Sequence, residues 1–216
     1  MSVKQWLVVC ASVATLGMGA EAQAGFPGLG GGGKGASAAD LDAFLNDAQA
    51  ADALMSNAEW SMARTVVSDQ ELKRLEDEHK ALATITDAKE REAKAAEHRK
   101  HVGAEVAKVD MDAASQKIAG ADQKKKEQLS SSIWNYSLAL LKDNELVARG
   151  AKLVSGVPDP SVATRVTRLK GFVENMKSQI DSGKHMTSGI KKLQAATGMK
   201  ALPTSASEKA VATNDI

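Results

Sequence analysis

Cysteine is almost missing from this chain, with Cys10 the only one among 216 residues. No intrachain disulfide can form, no thiolate cluster can hold a metal, and no haem-attachment pair exists. Aromatic residues make up 3% and proline occurs four times. So few rings exclude the basic–aromatic surface that marks nucleic-acid binding. A formal net charge of +1 removes any general pull toward polyanions or acidic membranes. Strand alternation is absent, and β-branched residues run together only briefly, as at Thr65-Val66-Val67. No Gly-x-Ser-x-Gly nucleophile elbow occurs either. These absences predict a non-enzymatic, cofactor-free, all-α protein.

The first residues read as an export signal. Lys4 precedes an apolar stretch from Trp6 to Ala20, and Ala22-Gln23-Ala24 places small residues where signal peptidase reads. Residues 1–24 are therefore expected to be a signal peptide cleaved near Ala24, giving a periplasmic or extracellular protein. The stretch is shorter than the roughly 20 residues that cross a bilayer, so no membrane span is expected in the mature chain. Val9 is too bulky to precede a lipidated cysteine, which argues against anchoring at Cys10. Residues 25–36 read as a flexible glycine-rich leader. Gly28 to Lys34 imitates a phosphate-binding loop, but Gly35 stands where the magnesium-holding Ser or Thr belongs, and a strand is missing upstream.

From residue 37 to 202 the chain reads as helix after helix, an extended bundle of four to six. Ser37 with Asp40 forms a capping box. Leu41, Phe44, Leu45, Ala48, Ala51, Met55, Met62 and Val66 then share one face. Ser68 with Glu71 opens a second helix, on which Leu72, Leu75, His79 and Leu82 keep three- and four-residue steps. Thr86-Asp87 restarts the helix, with Glu90 placed to close a box. Gly120 predicts a local break before a helix from Asp122 to Ser155, and Gly156 ends it. Asp159-Pro160 starts the last helix, whose Val162, Val166, Leu169, Val173, Met176 and Ile180 form a coiled-coil-like seam. Residues 203–216 are small, polar and aperiodic, and are expected to be a disordered tail.

Charge is unevenly spread. Residues 38–67 carry five acids against Arg64, and residues 129–202 carry 11 bases against 5 acids. The two regions are expected to face one another. Residues 68–128 hold 14 acids and 13 bases with a thin apolar seam, Leu72, Leu75, Leu82, Val102, Val106 and Val109. This composition predicts a charged coiled-coil-like arm. Lys124-Lys125-Lys126 and Ser130-Ser131-Ser132 read as helix surface.

For chemistry, Glu76 and His79 have the Glu-x-x-His spacing of di-iron bundles but lack a second copy. His98 and His101 share a face with Glu105 and are the weak candidates for a metal site. The expected function is therefore protein–protein contact, as a structural, adaptor or chaperone-like element, with a protein partner or self-association. The alternative is a carrier of lipid or another small hydrophobic ligand, with Met55, Trp60, Met62, Trp134 and Met176 lining its cavity.

Overall fold

The computed structural model describes residues 37–155 and 163–213. The expected signal, the leader with its glycine loop, Cys10, residues 156–162 and the last three residues of the tail lie outside the described residues. Six helices and no strand occur among those described: α1 Ala38–Val66, α2 Asp69–Leu82, α3 Ala88–Lys108, α4 Met111–Ala119, α5 Gln123–Ser155 and α6 Ala163–Thr197. The bundle is all-helical, as the periodicity predicts.

Local chemistry sets the boundaries. Ser37 closes a full capping box with Asp40 at the start of α1. Ser68 caps α2 by accepting from the Glu71 amide, while the Glu71 side chain turns to Arg74 instead of completing a box. Asp87 caps α3. A boundary not anticipated falls at Asp110, whose carboxylate accepts from the Asp112 and Ala113 amides and starts α4. The side chain offers the backbone an exit from α3 that a continuing helix could not satisfy.

The body is a three-helix core. α1 and α6 run parallel, with α5 antiparallel between them, as Asp42–Arg165, Asp47–Arg149 and Ser61–Ser132 pairings require. The acidic first helix does face the basic later ones. Core residues fall into two clusters. One joins Leu41, Phe44 and Leu45 to Leu146, Leu153, Leu169 and Met176. The other joins Met55 and Met62 to Leu75, Val102, Val106, Ile118, Ile133 and Ile190. Between them along α1, α5 and α6 sit Asp52, Asp143 and Gln179, a polar layer across the bundle.

The antiparallel α2–α3 hairpin leans on α1 at its base. Its thin seam, Leu75, Val102 and Val106, is covered by α1 of the same chain. A second copy is therefore not required to bury it. Away from the base, residues 83–94 are exposed except for Ile85.

The tail expected to be disordered is held in place as far as residue 213. Gly198, at φ 76°, takes the left-handed turn that ends α6 and redirects the chain. Leu202 then packs on the core and Pro203 is buried. Beyond Pro203 the segment lies along α5 through backbone hydrogen bonds, which leave no periodic mark in a sequence.

Close helix approach depends on Gly150. A Cβ there would lie 2.6 Å from Val173 Cγ2 and 3.0 Å from Phe44 Cζ. Gly150→Ala gains about 1 kcal/mol of helix propensity but overpacks by about 1–3 kcal/mol, so urea unfolding should show net destabilisation. Gly171→Ala, with nothing within 4 Å of its added Cβ, should instead stabilise by up to about 1 kcal/mol. Stabilisation by both would contradict the packing described.

Candidate functional site

Titratable and aromatic side chains concentrate where the hairpin meets α1. Trp60 of α1 stacks on His79 of α2, ring centroids 5.2 Å apart, and meets the edge of His98 of α3 at 5.5 Å. His79 and His98 lie 5.4 Å apart. All three helices thus meet through rings. His79 reaches this place because it occupies the apolar step after Leu75.

Glu78 organises the rim. Its Oε2 lies 3.3 Å from His98 Nδ1 and 3.0 Å from His101 Nδ1. A carboxylate only accepts, so both imidazoles carry their hydrogen on Nδ1. Arg74 joins the two helices, donating to Glu71, Glu78 and, across the hairpin, Glu105 at 3.0 Å. Lys108 also binds Glu105.

The structure therefore brings His98 and His101 together as their spacing suggests, but around Glu78. Glu105 is taken by Arg74 and Lys108. Among the described residues no three His, Asp or Glu side chains converge where a metal ion could sit. His79 is occupied in stacking, and Glu76 lines a different cleft.

Burial pushes the His79 and His98 imidazoles below the ordinary histidine range, with mutual repulsion adding to the effect at His79. Burial also pushes Glu78 up, but hydrogen bonds from His101 and His98 outweigh it and hold the carboxyl low. A neutral His98 ring over the ionised Glu78 carboxylate makes a clasp near neutral pH. Acidification charges His79 and His98 against their burial. Because their folded affinity for protons is depressed, their contribution is complete above the unfolded value and is lost as pH falls from there through the lower folded value.

A second set of groups was not identified from sequence. Asp143 is 0% exposed, and neither of its carboxylate oxygens has a hydrogen-bond partner. Burial and the Asp52 charge push it up to about 7. Glu59 is likewise pushed up to about 7 by burial, then by Asp52 and Asp143. Asp52 itself accepts from Asn175 and Gln179 at 3.1 and 3.2 Å, and Arg99 stands 3.9 Å away. Tyr136, its hydroxyl also pushed up by burial, donates to Met186 Sδ at 3.5 Å. No signal in the sequence sets Asp143 apart: it stands among Lys142, Asn144 and Glu145 and looks like one more solvated charge.

Ser132, read as helix surface, is fully buried and donates to Ser61 Oγ at 2.7 Å. The five residues suggested for a ligand cavity do not share one space. Met55 and Met62 belong to one core cluster and Met176 to the other. Trp60 is in the ring stack, and Trp134 donates to the tail at Lys209 O.

The chain matches no protein-family model, no curated protein and no solved structure to a significant degree.

The buried acids predict a pH signature. Asp143 binds protons more tightly when folded, so its penalty is absent below about pH 4 and grows as pH rises toward 7. Asp143→Asn should match the wild type in stability near pH 4 and exceed it by about 2–4 kcal/mol at pH 8, by urea titration. An equal difference at both pH values would rule out titration of this carboxyl as the cause.

Proposed function

We propose that this is an exported, non-catalytic protein that acts by protein–protein contact, with the distal half of the α2–α3 hairpin as its contact surface. The observation that carries this reading is a contrast within the hairpin. Its base is fastened by the Trp60–His79–His98 stack and by Arg74 across to Glu105. Its far half, residues 83–94, is exposed apart from Ile85 and carries Lys89, Glu90, Arg91, Glu92 and Lys94 in quick succession. A rigid base with a water-exposed, mixed-charge end presents groups that select partners by charge complementarity. The signal-like residues 1–24 support export.

The carrier reading has less support. Its lining residues are dispersed, as described above. An open cleft of about 300 Å³ is walled by Leu72 and Gln128 together with five charged residues, Arg64, Glu76, Asp122, Lys124 and Lys125, a lining that suits an apolar ligand poorly. No described helix is long and apolar enough to cross a membrane.

Site-specific photo-crosslinking in the native host separates these readings. A crosslinker at Arg91 should yield a discrete protein adduct, and one at the exposed Lys170 on α6 should not. Reversing the charges of Lys89, Glu90 and Glu92 should strongly weaken the Arg91 adduct while shifting the unfolding midpoint by no more than about 2 °C, since these side chains are exposed. Adducts from Lys170 alone, or a small apolar molecule retained in native mass spectrometry, would count against the proposal.

A further inference from the structure

Beyond Pro203, the tail is held by α5 in an unusual way. Trp134 Nε1 donates to Lys209 O at 3.1 Å, and Lys142 Nζ donates to Ala206 O at 2.7 Å. Asn135 makes two bonds to one residue: its Nδ2 donates to Val211 O at 2.8 Å, and its Oδ1 accepts from Val211 N at 2.9 Å. The carboxamide thereby satisfies both backbone groups of one residue, as a neighbouring β-strand would. Asn135 is 4% exposed. Every one of these contacts comes from an α5 side chain and ends on tail backbone.

The tail's own side chains take no part in them. Lys209 is exposed, and Val211, at 40%, is the large hydrophobic most open to water among the described residues. Glu208 folds back on its own segment, accepting from the Thr204 and Ser205 amides. The apolar anchoring of the chain stops at Pro203, and the hydrogen bonds to α5 past it are exposed or part-buried. Such contacts are weak enough to exchange.

We propose that the face of α5 formed by Trp134, Asn135 and Lys142 is a docking groove for an extended segment of a partner protein, occupied here in cis by residues 204–213. The occupant it fits is an extended polypeptide with a free N–H and C=O opposite Asn135 and small side chains. Its sequence matters little, because the groove's hydrogen bonds end only on main-chain atoms. Ala206 opposite Lys142 and Val211 opposite Asn135 set the direction, antiparallel to α5, and a length of about six residues. This groove is separate from the hairpin end, so either can fail without the other.

The test uses the full chain and a fluorescein-labelled peptide with the sequence of residues 203–213, read by fluorescence anisotropy. Val211→Pro removes the N–H that Asn135 accepts and loosens the tail at an exposed position. That variant should bind the peptide at least about tenfold more tightly than the wild type. A shuffled peptide keeping the leading proline should bind it within about threefold of the native order. Adding Asn135→Ala should cost at least about tenfold, and Trp134→Phe, which keeps a ring but lacks the donor, about two- to tenfold. The inference is overturned if the Val211→Pro chain, folded by circular dichroism, binds neither peptide. Binding of the native order alone would mark the tail as a dedicated strap. Peptide-competed dimers would mean the groove serves a second copy.

Discussion

Everything in this fold depends on one long apolar stripe being covered from more than one side. α1 runs for 29 residues with Leu41, Phe44, Ala48, Met55, Ala58 and Met62 all essentially shut off from water. α5 and α6 cover most of that stripe, and the hairpin covers the remainder. The hairpin has little of its own to contribute: Leu75, Val102 and Val106 are its buried apolar side chains. Helices so poor in apolar residues gain their order from what they pack against, not from propensity. The charged hairpin is therefore an appendage stabilised by α1, and its distal half is exposed because α1 supplies no more surface to lean on.

Where apolar burial is thin, rings and charges take over. Trp60 provides flat apolar area at low rotamer cost, and two imidazoles complete the contact while neutral. Glu78 and Arg74 then fix the register between α2 and α3. Each surface ion pair contributes little alone. Arg74 is different in degree, because one guanidinium spans three carboxylates on two helices.

Much of this was legible in the residues. The capping box at Ser37, the spacing along α1 and the placement of His79 on the α2 seam are local patterns, and local patterns survive folding. Opposite charge on the first and later helices also translated directly into Asp47–Arg149 and Asp42–Arg165. Other features depend on partners far along the chain. His98 and His101 meet at one carboxylate, but it comes from position 78 on another helix, and Glu105 on their own helix is drawn away by Arg74. Asp143 and Ser132 looked like ordinary polar residues because burial is decided by what packs above them. The tail left no pattern, since its bonds use main-chain atoms common to every sequence.

The polar layer of Asp52, Asp143 and Gln179 has a consequence for how the molecule opens. It separates two hydrophobic compartments strung along the same three helices. A helical bundle with one continuous core unfolds as a single cooperative unit; here the weakest point lies at mid-length. Each end can then behave as its own foldon, with the Phe44–Leu153–Leu169 end exchanging its amides independently of the end that carries the hairpin. Breathing at the α1 start need not reach the Trp60 stack. The hairpin end can thus stay ordered while the opposite end opens.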